Sequence, residues 1–120
     1  MRQSKSVEDF LEALLMLEEK KEPLETTKVA EILQVSKPAV HQMGHELIAK
    51  GYITREDYGD MTLTPTGRKL ATEVYHRHKV LKTYLLEIGV SEANAENDCC
   101  QIEHVISQET FRAIEKLTKK

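Results

Sequence analysis

At 120 residues, 40% hydrophobic and 31% charged, the sequence suits one globular domain or a small domain with a helical extension, and excludes a disordered tail. No apolar run approaches the roughly 18 residues of a membrane span, and the polar start of the chain has no secretory apolar segment, so a cytoplasmic protein with no membrane partner is expected. The net charge of −3 excludes a broad positive field: residues 1–25 hold four basic and seven acidic side chains, 26–69 six and five, and the remainder seven and eight.

Ser6-Val7-Glu8-Asp9 has the form of a capping box, and Val7, Phe10, Leu11, Leu14 and Leu17 then recur as one apolar face. They predict a first helix from about Ser6, broken over 20–23. Residues 27–33 read as a short second helix with Val29, Ala30, Ile32 and Leu33 inward. A turn follows into a third helix, with Ser36 as N-cap, Pro38 in the first turn and Gly51 as the stop. Residues 52–55 and 61–64 predict two strands around the turn-rich Asp57-Tyr58-Gly59-Asp60. Thr64-Pro65 opens a long fourth helix that Gly89 ends, and Ser91 and Ser107 are caps for two more.

Two helices joined by a tight turn and followed at once by a hairpin predict a winged helix-turn-helix. The second of these helices offers Ser36, Lys37, Pro38, His41, Gln42 and His45 in or near its N-terminal half, where a recognition helix meets base edges. Gln42 can pair bidentately with adenine. Ser36, Lys37 and the helix N-terminus suit phosphate. Arg55, Tyr58, Arg68 and Lys69 are candidates for the DNA backbone. The alternative is a helix pair with solvated polar residues, or a winged helix that binds protein.

Cys100, Glu103 and His104 stand at i, i+3 and i+4, which at about 100° per residue places them on one helical sector opposite Ile102, Val105 and Ile106. A thiolate, a carboxylate and an imidazole together make a partial coordination sphere for a transition metal. Asp9 and Glu12 pair on the first helix, where a solvated face is the plainer alternative. His78 lies in line with Val74, Leu81 and Leu85 and should point inward, as a ligand or as a core histidine; His76 should face solvent. A structural disulfide between the adjacent Cys99 and Cys100 would be strained in helical backbone.

At Ser6-Val7-Glu8-Asp9-Phe10-Leu11-Glu12, Ser36-Lys37-Pro38-Ala39-Val40, Leu63-Thr64-Pro65-Thr66-Gly67, Arg77-His78 and Cys100-Gln101-Ile102-Glu103-His104 the chain resembles the diphtheria toxin repressor and manganese transport regulator family. The resemblance covers nearly the whole length. It implies a mainly α protein: a winged helix-turn-helix DNA-binding domain over 1–70, then a helical dimerisation and metal-binding domain over 71–120. It further implies a homodimer on a palindromic duplex operator, with a divalent ion between the first helix and the dimerisation helices.

Carried over position by position, the manganese-type pattern puts ligands at Asp9, Glu12, His78, Glu103 and His104. Cys100 departs from it, because manganese-type members have glutamate there and iron-type members cysteine. The iron-type ancillary site would need ligands at the positions of Lys82 and Glu96, and a protonated Lys82 cannot serve. The mixed set points to Mn2+ or Fe2+, with Zn2+ or Co2+ possible.

A thiol redox regulator built on Cys99 or Cys100 is the competing function; it needs an exposed thiolate of low pKa, which Asp98 and Glu103 oppose. A metal hydrolase ranks last, since no nucleophile pattern accompanies the ligands; no enzyme activity and no small-molecule substrate are expected.

Overall fold

The computed structural model describes residues 4–57 and 59–118. The elements are α1 (Lys5–Glu19), α2 (Thr26–Leu33), α3 (Lys37–Ala49), β1 (Ile53–Arg55), β2 (Met61–Leu63), α4 (Pro65–Glu87), α5 (Glu92–Ile102) and α6 (Gln108–Thr118). The protein is therefore mainly α, with a winged helix-turn-helix followed by helices. No helix among the described residues is long and apolar enough to cross a membrane. The chain divides into two compact units, Met1–Thr72 and Glu73–Lys120, and the division falls inside α4.

In the first unit α1 packs on α2 and β2, α2 on α3, and α3 on β1. The cap of α1 is Ser4 rather than the expected Ser6: the Ser4 hydroxyl accepts from the Val7 amide at 3.4 Å. Starting the helix at Lys5 gains the i, i+4 ion pair Lys5–Asp9 at 2.6 Å, which a start at Ser6 would forfeit. The predicted apolar face, Val7, Phe10, Leu11, Leu14 and Leu17, is buried.

In α2 the buried stripe runs through Thr26, Val29 and Ala30, with Leu33 half-buried. Ile32, expected inward, lies off that stripe and is exposed, because at about 100° per residue it turns away from positions 26, 29, 30 and 33. Ser36 caps α3, accepting from the Ala39 amide at 3.2 Å, and Val40, Gly44 and Leu47 form its buried row. The strands pair antiparallel as Ile53↔Leu63, Thr54↔Thr62 and Arg55↔Met61. Ile53, Met61 and Leu63 are buried, while Thr54 and Thr62 face out.

The second unit has its core in Leu81, Cys99, Ile106 and Phe111, flanked by Val80, Leu85, Ile102 and Ile114. Ser91 caps α5, and the Ser107 hydroxyl accepts from the Thr110 amide at the start of α6. α5 ends at Ile102, so Glu103 is its C-cap and His104 lies in the following turn. The helical sector expected for Cys100, Glu103 and His104 thus extends only to Glu103, whose backbone keeps a right-handed helical conformation at φ −59° and ψ −22°. His76, expected in solvent, is half exposed: its Nε2 meets the Glu115 carboxylate and its ring stands edge-on to Phe111.

Thr64 fixes the junction of wing and α4, donating to the Gly51 carbonyl at 2.7 Å while accepting from the Gly67 amide. A Cβ at Gly67 would sit 1.9 Å from the Tyr52 carbonyl oxygen. Gly67→Ala is therefore expected to cost about 3 kcal/mol through forced backbone displacement. Urea unfolding of the two proteins measures the difference, and equal midpoints would contradict the close approach.

Candidate metal centre and nucleic-acid interface

On α3 the sequence-predicted DNA contacts Ser36, Lys37, Pro38, His41, Gln42 and His45 are all exposed. His41, His45 and Ile48 line one side of an open groove of about 450 Å³, with Arg55, Glu56 and Asp57 on the other. Arg55 has two donors committed within its unit: Nε to the Gly59 carbonyl at 2.8 Å and Nη2 to the Thr26 hydroxyl at 2.9 Å. It ties the wing tip to α2. Arg68 forms a two-point pair with Glu18 at 2.6 and 2.8 Å, which engages the guanidinium expected on the DNA backbone. Tyr58 lies outside the described residues.

The first unit also carries Asp9 and Glu12. Asp9 is half-buried and holds Lys5, whereas Glu12 is buried. Glu8, not singled out in the sequence, is buried more completely, at 0% exposure. Its i, i+4 spacing to Glu12 is the one signal in the sequence that could have marked it.

In the second unit α4 presents Arg77 and His78 to the end of α5. Arg77 Nε donates to the Glu103 carbonyl at 2.8 Å, and His78 Nδ1 lies 2.8 Å from Glu103 Oε1. The Glu103 side chain is fully buried, and its Oε2 has no hydrogen-bond partner among the described residues. The His104 side chain is 3% exposed, with Nε2 4.0 Å from that same oxygen. Burying an ionised carboxylate is costly without a cation or full hydrogen bonding. The donor set around Glu103 therefore fits a divalent ion.

Cys100 joins the same cluster, its Sγ 3.8 Å from His78 Nδ1. Two further residues stand beside it. Cys99 Sγ is 3.6 Å from His78 Nδ1, and Glu96 reaches His78 Nε2 at 3.4 Å and the Cys100 thiol at 3.3 Å. Neither Cys99 nor Glu96 is among the metal ligands that the sequence patterns single out, Glu96 standing at a position of the lost ancillary site. The signal was present, since 96, 99, 100 and 103 follow i, i+3, i+4 and i+7 on one helical track.

Lys82 pairs with Glu92 at 2.8 Å and with Glu96 at 3.0 Å, and those hydrogen bonds raise its pKa, keeping it a cation. Burial alone would raise the Glu96 carboxyl; hydrogen bonds from Lys82 and Cys100 and the charge of His78 outweigh it and hold that pKa down. Burial, then the Glu96 and Glu103 charges, push the Cys99 thiol up to about 12. Burial and the Glu96 hydrogen bond push Cys100 upward too. Neutral buried thiols are poor nucleophiles, which weighs against the redox function; Glu96, rather than the expected Asp98, is the main acidic neighbour.

Comparison with known proteins fits this arrangement. Residues 3–61 match the family described as iron dependent repressor, N-terminal DNA binding domain, and residues 64–120 match iron dependent repressor, metal binding and dimerisation domain. The chain is 36% identical over 112 residues to the HTH-type transcriptional regulator MntR of Geobacillus kaustophilus, covering 93% of this chain and 77% of that protein. It is 34% identical over 119 residues to an uncharacterised HTH-type transcriptional regulator of Methanocaldococcus jannaschii, covering 98% and 95%.

Among solved structures it superposes on the manganese regulator SloR with a TM-score of 0.83 at 24% identity, covering 99% of this chain and 55% of that one. A manganese-dependent transcriptional repressor complex with manganese gives 0.86 at 24%, covering 94% and 52%. At that identity these likenesses show the fold. The chain spans about half the length of those solved proteins.

The raised thiols set a pH dependence. In the folded metal-free chain Cys99 titrates near 12 against an ordinary 9.0, so the stability that its neutral form supplies is full below pH 9 and is lost as pH rises toward 12. Urea unfolding over that window should show a smaller fall for Cys99→Ala than for the parent chain. Parallel falls would contradict the assignment.

Proposed function

This chain belongs to the iron-dependent repressor family, the group of metal-dependent transcriptional repressors typified by the diphtheria toxin repressor and manganese transport regulator, and we propose that a divalent ion sets its operator-binding form. The proposed ligands are Asp9 and Glu12 of α1 with His78, Glu103 and His104, and Cys100 as a further donor. The proposed ion is manganese or iron, with zinc or cobalt as competitors. The proposed partners are a second copy of the chain and a palindromic duplex, bound by a cytoplasmic protein. We also propose that 1–70 reads DNA and 71–120 dimerises and holds metal.

One observation carries the metal assignment: a fully buried Glu103 carboxylate that has His78 on one oxygen and no hydrogen bond on the other among the described residues. When bound, the ion supplies the positive charge that relieves repulsion among the carboxylates. Asp9 must give up Lys5 to take part, which is cheap, since an exposed i, i+4 pair is worth about 0.3–0.5 kcal/mol. Because α1 packs on α2 and α2 on α3, a constraint on α1 is carried to the helix that would meet the major groove. A hundredfold preference of the ion for the DNA-competent form would supply about 2.7 kcal/mol of coupling. Exposed Ile88, Val105 and Leu117 in the second unit offer apolar surface to a partner copy.

Glu103→Ala and His104→Ala should abolish manganese-stimulated binding to a palindromic operator while retaining helical circular dichroism. Undiminished stimulation in both would exclude this site. Gln42→Ala should change sequence preference at a single half-site position and leave manganese uptake intact, as followed by calorimetric titration. Lost uptake in that variant would contradict the separation of DNA reading from metal binding.

A further inference from the structure

We infer that His78, Glu96, Cys99 and Cys100 form a second ligand set, for a thiophilic divalent ion such as zinc, that draws on the second unit alone and competes for His78 and Cys100 with the carboxylate-rich set proposed above. One donor atom from each of the four lies within 4.8 Å of all the others. Tetrahedral N, O and S ligands placed 2.0–2.3 Å from zinc stand roughly 3.3–3.8 Å apart. Three of the six pairs are already close to that: Cys100 Sγ to Glu96 Oε2 is 3.3 Å, Glu96 Oε1 to His78 Nε2 is 3.4 Å, and Cys99 Sγ to the two His78 nitrogens is 3.6 and 3.9 Å. Side-chain adjustments of about 1 Å at most bring the remaining pairs, which lie within 4.8 Å, to that spacing.

Charge and outer contacts fit as well. Two thiolates, one carboxylate and a divalent ion leave one negative charge, and the Lys82 ammonium sits 3.0 Å from Glu96 Oε1 to offset it. If His78 ligates through Nε2, its Nδ1–H faces Glu103 Oε1 at 2.8 Å, the usual outer carboxylate that orients a ligating imidazole. Thiolates prefer zinc, cobalt or cadmium to manganese. A thiophilic ion held in this way uses neither Asp9 nor Glu12. It occupies His78 without the contacts on which the regulatory reading rests, so it binds the chain without promoting the DNA-bound form, and manganese and zinc are told apart by which ligands each recruits.

Cobalt(II) titration of the full, reduced chain tests this through the near-ultraviolet thiolate-to-cobalt band. The parent chain should show the band of two thiolates, and Cys99→Ser and Cys100→Ser should each retain about half of it. Glu96→Gln should keep the band but weaken cobalt affinity about tenfold. Manganese affinity should be unchanged in Cys99→Ser. A full-strength band in Cys99→Ser, or none in the parent chain, would overturn the assignment.

Should Cys99→Ser fail to fold, alkylation of the parent chain decides: one equivalent of zinc is expected to protect both thiols, and protection of only one would overturn it. The cobalt band needs no DNA. Loss of manganese-stimulated operator binding with the band intact strikes the regulatory reading alone, whereas an absent band with that stimulation intact strikes the thiolate set alone.

Discussion

A carboxylate with no solvent exposure must be matched by a cation or by hydrogen bonds, and Glu103 is that constraint in this protein. Two neighbours on α4 answer to it in different ways. Arg77 holds the backbone carbonyl and His78 the carboxylate, so the residue just past α5 is pinned to α4 through both main chain and side chain. The remaining oxygen faces His104 at a distance too long for a hydrogen bond. An ion placed there would supply the partner that this oxygen lacks among the described residues. Removal of the Glu103 side chain would release His78 while leaving the backbone carbonyl to Arg77, which is why a loss of function at this position has to be judged beside a measure of fold.

The same economy governs the DNA-facing unit. With a net charge of −3, the chain lacks the broad field that usually draws proteins to duplexes. Several of its cations are moreover committed: Arg68 to Glu18, Arg55 to the wing and α2, Lys28 to Glu22. Among the exposed residues of α3 is a short row of Lys37, His41, Gln42 and His45 behind a helix N-terminus. Such a surface recruits DNA weakly by charge and depends on geometry, the kind of binding that a metal-controlled arrangement can switch. Glu56 and Asp57 beside the groove sharpen this, because misdocked phosphate would be repelled there.

Most of the fold was legible because its punctuation is chemical. Ser36, Pro38, Gly51, Thr64, Gly89, Ser91 and Ser107 each mark an end that the structure retains, and the wing follows from short alternating strands around polar turn residues. The misses share a cause: local pattern competing with contacts it does not encode. Ser4 and Ser6 are equally good caps in isolation, and the Lys5–Asp9 pair favours the earlier one. Ile32 has the right residue type for a core but sits off the stripe used by α2. His104 has helical spacing from Cys100, yet α5 stops at Ile102. For the metal centre, the triplet and His78 stood out as ligand types. Cys99 did not, because a buried cysteine in an apolar core is ordinary, and its place on one helical track with Glu96, Cys100 and Glu103 gains meaning only with His78 beside it.

Ligand identity alone would not separate one metal from another here, since affinity order favours zinc over manganese at nearly any site of these donors. Placement along the chain can do what affinity cannot. The sulfur donors are adjacent on α5, whereas the proposed hard donors include Asp9 and Glu12 of α1, nearly ninety residues earlier in the sequence. An ion content with sulfur is satisfied by a local segment, while an ion that prefers oxygen must recruit residues far apart in the chain. Only the second kind of binding does conformational work, because a ligand shifts an equilibrium solely through contacts that differ between its states. A metal that binds more tightly but locally can thus be the weaker effector, and selectivity then resides in the coupling to DNA rather than in the dissociation constant.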